Sequence, residues 1–554
     1  MTNFIDPIGV LKKRALESPD AKAYGYQSFG GKSFESFQEM TWSEVWAWVQ
    51  AYAFALESRG LQASQCIALQ GRNQVDWVLI DFAILLSGGV SVPLFPQISS
   101  RERDYILKET GLQFFVTDQP QELQGVQLIG FHELHREARA QLGKAYSRKE
   151  PDFEAVATIV YTSGTTGEPK GVMHSLKNIG LALELGRESL GISERDRLIS
   201  YLPLSHVAER VLSEFGSIYS GASVYFVDQV EKVVGALPKV KPTIFFAVPR
   251  VWNLILQRIE KEVKHNPLVQ KRLQAIPKIF RSFLIPFLVK RKLGFQKVRG
   301  FFSGAAKLNP DVASNLVEYG IRVRECYGLT ETLCLTTVAE KNPKSFGCVG
   351  RSYPGVDLRV AEDGEICAKA DFHFMGYYKK PEATQEVLRN GWFHTGDVGV
   401  LDNEGRLRIT DRKKDLFKGS NGKYVAPQPI EAQLRAVVGV QEAMVVGEEK
   451  AFCVALLSIQ DGFEPSHFLS AVDRINRSLS PHERLKHIGL LPKAWTVEGG
   501  ELTPSMKLKR KVIESRYQNE ISELYNCREK ALYFGEAPNP AEAFERKNCA
   551  HSGV

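Results

Sequence analysis

The chain reads as an α/β protein in which a large, multi-lobed N-terminal domain of layered α/β sheets carries a β-rich lobe and is followed by a small α+β C-terminal domain. Three observations support this. Residues 40 to about 250 alternate short apolar runs with helix-length segments, the pattern of parallel strands joined by helices. After Gly347 the texture changes to short strands between glycine turns. At 554 residues the chain also exceeds one ordinary core, given roughly 150 residues per domain.

Taken in order, Cys66-Ile-Ala-Leu69, Phe114-Phe-Val116, Leu198 to Leu202 and Thr243 to Val248 are apolar runs of strand length. The longest apolar stretch, Trp77 to Pro96, contains Asp81 and two adjacent glycines and ends at proline, so a core helix leading into a strand is expected rather than a membrane span. Ala155 to Tyr161 reads as a buried strand running into a loop. Glu362-Asp-Gly-Glu and Asp402-Asn-Glu-Gly mark turns of the β-rich lobe. Asp411-Arg-Lys-Lys-Asp415 is a charged hinge candidate. The expected boundaries are 1–410 for the large domain, with the β-rich lobe at about 347–410, then 411–527 for the small domain and 528–554 for a polar, loosely held tail.

The eight cysteines are scattered, with no Cys-x-x-Cys, which argues against a zinc site or a disulfide framework and suits a reducing cytoplasm. The N-terminus lacks the basic-then-apolar order of a secretory signal. Net charge is +7, yet between Lys261 and Arg299 eleven Lys/Arg face one acidic residue, so this segment alone carries more than the whole excess. Within it, residues 279–293 interleave apolar and cationic side chains. Two readings fit: a helix lying on an anionic membrane surface, or a solvated basic face over a core helix broken at Pro286. No nucleic-acid-binding motif accompanies the patch, so no nucleic-acid partner is expected.

The most specific stretch is Tyr161-Thr-Ser-Gly-Thr-Thr-Gly-Glu-Pro-Lys-Gly171. Its glycines let backbone N–H groups turn toward an anion, its hydroxyls add donors, and Lys170 adds a full positive charge, a set suited to polyphosphate. The Walker A order is absent. Taken alone, the run would also suit a flexible polar loop.

Four further segments occur in register with it: Tyr201-Leu-Pro-Leu-Ser-His-Val-Ala-Glu-Arg210, Tyr327-Gly-Leu-Thr-Glu-Thr332, Gly391-Trp-Phe-His-Thr-Gly-Asp397 and Leu502-Thr-Pro-Ser-Met-Lys-Leu-Lys-Arg510. Together they resemble the adenylate-forming enzymes, the superfamily of acyl-CoA synthetases, peptide-synthetase adenylation domains and luciferases. The versions at 202–210 and 420–427 are similar to the long-chain fatty acyl-CoA synthetase branch. The resemblance implies that a fatty acid attacks the α-phosphorus of ATP, giving acyl-AMP and pyrophosphate, and that coenzyme A then displaces AMP. It leaves as alternatives a fatty acyl-AMP ligase that loads a carrier protein and a medium-chain or aryl-CoA ligase.

The resemblance also implies residue roles. Thr162, Ser163, Gly164, Thr165, Thr166, Gly167 and Lys170 would hold the β- and γ-phosphates. Glu331 would bind Mg²⁺, Thr330 would donate to the α-phosphate, and Tyr327, Gly328 and the Ser303-Gly304-Ala305 backbone would receive adenine. Asp397, an acceptor only, would take the ribose hydroxyls with help from Arg412. Lys507 would be the mobile catalytic lysine and His206 would position the carboxylate. Lys414 would be the hinge, Gly422 would line the pantetheine path of coenzyme A, and Trp252 would gate the acyl tunnel or simply fill core. Lys509, Arg510 and Lys511 are expected to be a solvated basic stretch. Two positions depart from the family pattern: Asp411 stands where glycine is common, and Glu168 adds negative charge to the phosphate loop. A cytoplasmic protein is expected, peripheral at a membrane if residues 279–293 bind one.

Overall fold

The computed structural model describes residues 6–27, 37–119, 121–147, 151–162, 168–264, 266–341, 346–503 and 506–534. Its first layer is a seven-stranded sheet in the order Gly376–Tyr377, Lys170–Ser175, Val156–Thr162, Val90–Leu94, Cys66–Gln70, Phe114–Thr117 and Gln127–Gly130. From Val156–Thr162 onward the strands run parallel, as the alternating pattern predicts. Lys170–Ser175 and Gly376–Tyr377 are antiparallel additions. The hydroxyl-rich segment therefore joins two strands of a hairpin, unlike a strand-to-helix phosphate loop.

The run from Trp77 to Pro96 folds as expected. Helix Val75–Leu86 is apolar on every side and is buried at every position, Asp76 and Asp81 included, before strand Val90–Leu94. Among the described residues no helix is long and apolar enough to cross a membrane.

A second sheet places Lys22–Tyr26, Ser223–Phe226 and Arg197–Ser200 in parallel, with Gln38–Thr41 antiparallel at its edge. A third runs Ile244–Ala247, Gly300–Ser303, Val323–Tyr327 in parallel and adds two short antiparallel strands. The β-rich lobe is built on Trp392–Leu401, flanked by Glu365–Lys369 and Leu407–Arg412. In the C-terminal part, strand Cys453–Ile459 is buried at every position. Cys453, Ala455, Leu457 and Ile459 face one apolar cluster while Val454 and Leu456 face another, so alternate side chains are covered on both sides of the sheet.

Three expectations are corrected. Lys278–Leu293 runs through Pro286 as one helix, because Ile285, Val289 and Leu293 recur on one face and pack into the core of the third sheet, outweighing the hydrogen bond that proline removes. Ala531–Tyr533, expected in the loose tail, pairs in parallel with Leu485–Leu491, and Leu532 and Tyr533 pack on opposite sides of that sheet. Lys509 and Arg510 are not a solvated stretch. Lys509 Nζ lies 3.2 Å from Glu102, and Arg510 Nη2 donates to both oxygens of Glu431 at 2.7 Å. Lys511 is exposed, as expected.

Candidate active site

The site residues gather at the C-terminal ends of parallel strands, where side chains and free backbone groups converge on a crevice. Ser303 closes strand Gly300–Ser303 with a buried hydroxyl that has no hydrogen-bond partner. At Gly304 a Cβ would press at 3.2 Å on the Phe246 ring and at 3.3 Å on the Cys326 carbonyl oxygen, and Ala305 holds φ +67°. An orphaned donor beside side-chain-free backbone suits a flat heterocycle with polar edges. Tyr327 ends the neighbouring strand. Gly328 follows because a Cβ there would lie 2.3 Å from the Cys334 carbonyl carbon.

Asp397 is buried on the long strand of the β-rich lobe, directly across from Arg412 in the antiparallel register. The Tyr327 hydroxyl donates to Asp397 Oδ2 at 2.7 Å, and Arg412 Nε donates to Oδ1 at 3.2 Å. Each oxygen keeps a lone pair, so the held carboxylate can still accept from two neighbouring hydroxyls. Burial, and then the Asp397 charge, push the Tyr327 phenol well above its ordinary value, so it remains a donor.

Glu331 is buried in the turn Thr330–Thr332 and accepts from Tyr377 at 2.7 Å. The Lys170 ammonium stands 4.8 Å from the centre of the same tyrosine ring. Tyr377 thus joins Lys170 to the candidate metal carboxylate. His174 donates through Nε2 to the Thr330 carbonyl at 2.9 Å, and burial lowers its pKa to about 4, leaving it neutral. Neither Tyr377 nor His174 is singled out by the sequence reading. The only signal is that Phe374 to Tyr378 has the look of a short strand able to pair beside the loop. Among the described residues no cluster of three His, Cys, Asp or Glu could hold a metal. A single carboxylate fits Mg²⁺, which keeps waters and takes phosphate oxygens as its other ligands.

Lys507 sits on a tight reversal. Its N–H donates to Thr503 Oγ1 at 3.0 Å, its carbonyl accepts from the Thr503 N–H at 2.8 Å, and Leu502 bridges Leu508. Lys507 is exposed, yet its pKa is pushed down to about 8, first by lost hydration among the neighbouring side chains and then by Arg412, with Asp397, Cys334 and Glu331 acting in opposition. His206 also feels the Lys507 charge. Burial first, then Lys507, take its pKa down to about 4. Its Nδ1 accepts from the Ala208 N–H at 3.1 Å, which leaves Nε2–H as a donor. Four residues on, the fully buried Arg210 donates to Asp81 at 2.5 Å, Glu214 at 2.9 Å and Thr158 at 2.8 Å, tying the histidine segment to the first sheet.

Other expected residues lie elsewhere. Trp252 is fully buried, donating to the Phe302 carbonyl at 3.3 Å and packing edge-on against Phe245 and Phe301. Lys414 is exposed in the turn after Arg412, and Gly422, with φ +79°, lies in the loop of the hairpin Phe417–Lys418/Tyr424–Val425. Thr162 closes its strand opposite Lys170. Ser163, Gly164, Thr165, Thr166 and Gly167 lie outside the described residues. Glu168 is exposed. Asp411 is buried and accepts from the N–H groups of Arg412 and Gln428, so it caps the helix Pro427–Arg435 in a way glycine could not.

The family of AMP-binding enzymes matches residues 11–378, and the AMP-binding enzyme C-terminal domain matches 414–529. The peroxisomal long chain acyl-CoA synthetase 7 of Arabidopsis thaliana is 30% identical, with 88% of this chain and 81% of that protein covered. A long-chain-fatty-acid–CoA ligase of Mycobacterium bovis is 30% identical over 88% of this chain and 92% of its own. Among solved structures, the adenylation domain of the carboxylic acid reductase from Segniliparus rugosus, in complex with AMP and a carboxylic acid, superposes with a TM-score of 0.79 at 20% identity, covering 95% of each chain. The o-succinylbenzoate coenzyme A synthetase of Bacillus subtilis, in complex with ATP and magnesium, gives 0.73 at 24% identity, covering 91% of this chain and 98% of that one. At such identities these two likenesses speak for the fold alone.

Proposed function

The chain belongs to the AMP-binding enzyme family, and from that premise we propose that it is a long-chain fatty acid–CoA ligase. That it is an ATP-dependent acid–CoA ligase of the acyl-CoA synthetase branch follows from the family match and the curated relatives. The long acyl chain is the added step. One observation carries the mechanism: Asp397, Glu331, Lys170, His206 and Lys507 come from five separate motifs and meet around one cleft.

In the proposed reaction a carboxylate oxygen bonds to the α-phosphorus while the bond to the pyrophosphate oxygen breaks. Negative charge builds on both sides of that phosphorus. Lys507 faces the build-up between attacking and leaving groups, as preorganised positive charge must. Lys170, held over Tyr377, takes the outer phosphates. Glu331 would hold Mg²⁺, which would supply Lewis-acid neutralisation of the charge on the departing pyrophosphate. Asp397 with Arg412 holds the ribose, Ser303 to Ala305 and Tyr327 hold the purine, and His206 Nε2–H orients the acyl carboxylate. In the second step the coenzyme A thiol gives its proton to water, its sulfur bonds to the acyl carbon, and the bond from that carbon to the phosphate oxygen breaks as AMP leaves.

We further propose that residues 1–410 form the large domain and 411–527 a small one that turns about Lys414, carrying Lys507 out and bringing Gly422 toward the pantetheine path. Trp252 is proposed as the acyl gate. Its bond to Phe302, next to Ser303, would link the tunnel to the nucleotide strand.

A long chain suits an apolar tunnel, since each buried CH₂ contributes about 0.8 kcal/mol. The test is AMP formation with a ladder of carboxylic acids, with and without coenzyme A. Turnover should rise with chain length and yield thioester. A preference for short or aromatic acids would reject the long chain, and acyl-AMP accumulating unchanged with coenzyme A present would indicate a carrier-loading enzyme.

A further inference from the structure

We propose that the outer face of the helix Lys278–Leu293 docks the protein on an anionic bilayer surface. The helix is apolar on two separate faces. Ile285, Val289 and Leu293 recur every fourth residue and face the core of the third sheet. Ile279, Phe283 and Phe287 recur in the same way on another face, roughly 120° round at 100° per residue. They are exposed by 69%, 77% and 57%, and beside them Phe280 is 63% and Leu288 47% exposed. A surface helix of a water-soluble fold normally turns a polar face outward, and a clustered apolar face this large marks an interaction surface.

The charge around the patch selects the partner. Arg291 is exposed on the same outer arc, and Lys261, Lys271 and Lys297 are exposed on flanking segments. Lys292 reaches Glu262 at 2.8 Å but keeps 63% of its side chain in water. Lys290 instead folds inward to 6.0 Å from the centre of the Phe301 ring, and burial lowers its pKa, so the outward cations of this cluster are Arg291 and Lys292. With eleven Lys/Arg against one acidic residue between Lys261 and Arg299, pairing this face with a second copy would set like charges together. An anionic lipid surface takes both features at once: phenylalanines enter the acyl boundary while arginine and lysine stay among the headgroups.

The docking itself does not depend on the acyl substrate, and vesicle binding is read without ATP or acid, so its failure is separable from failure of the proposed reaction. The full chain should sediment with vesicles of equimolar phosphatidylcholine and phosphatidylglycerol, more weakly with phosphatidylcholine alone, and less as salt is raised. The double variant Phe283→Ser/Phe287→Ser should bind at least about tenfold more weakly, and Arg291→Ala about fivefold. Both should keep the unfolding temperature and the turnover of detergent-dispersed acid, since these side chains pack against nothing in the core. Absence of vesicle binding by the unaltered chain, or undiminished binding by the double variant, overturns the proposal. So does a lipid-free dimer that the double variant dissolves while vesicles are ignored.

Discussion

Asp397 divides its two oxygens between a buried phenol and a half-buried guanidinium, so its removal strips both donors of their acceptor as well as any ribose contact. Asp397→Ala should therefore weaken ATP binding by about ten- to a hundredfold, measured as nucleotide affinity by calorimetry, with little change in coenzyme A affinity. Lys507→Ala should lower the rate of acyl-AMP formation by about a hundred- to a thousandfold yet leave thioester formation from supplied acyl-AMP within a fewfold. Equal loss in both half-reactions would place the lysine elsewhere. The same residue sets a pH dependence. An ammonium whose pKa falls from 10.5 to about 8 is charged below that value and loses its proton above it. Adenylation kcat/KM, which reports the free enzyme, should fall as pH rises through about 8, while Lys507→Arg should move that limb upward. His206, with a pKa near 4, adds no titration at neutral pH. The carboxylates and lysines of this site were legible as motifs because their spacing along the chain is specific. Tyr377 and His174 were not, because each acts across strand pairings that bring distant segments together.

At the scale of elements, the loop Leu502 to Arg510 is held from outside by the pair Lys509–Glu102, which reaches from the C-terminal part to the helix Ser100–Thr110. Lys507 faces the cleft only while that loop stays docked. Both partners are largely but not fully buried, so the pair is worth about 1 kcal/mol. Glu102→Gln should accordingly slow adenylation a fewfold and not slow thioester formation from acyl-AMP, read as the two half-reactions side by side. The motif Leu202 to Arg210 divides in the same way. His206 meets the site, whereas Arg210 and Glu209 hold the segment from beneath through buried carboxylate and hydroxyl contacts. Trp252 shows the limit of reading by residue type. It packs edge-on against Phe245 and Phe301 like a core side chain, so the proposed gating would take the form of a shift transmitted through its bond to Phe302 rather than a swing out of the core.

For the whole molecule, one lysine cannot occupy the adenylation site while a thiol enters it, so the C-terminal part must move between steps if both occur in one protein. Lys414→Pro, which restricts φ in the exposed turn after Arg412, should leave acyl-AMP formation within a fewfold and reduce thioester formation about a hundredfold, measured by quenching each half-reaction. Parallel strands over residues 40–250 were predictable because fully covered strands must be apolar at successive positions. The continuity of Lys278–Leu293 through Pro286 was not, because the core beneath that helix supplies what proline takes away. By itself the sequence determined which chemical groups this protein owns and in what order: a glycine- and hydroxyl-rich run ending in Lys170, the carboxylates Glu331 and Asp397, and a late lysine. Only the tertiary structure decided which of them share a cleft, that Lys507 stands within reach of the charges of Asp397 and Glu331 while Lys509 pairs with Glu102, and that three phenylalanines stay in water. Local periodicity records which face of an element is apolar, whereas what covers that face depends on packing between residues far apart in the chain.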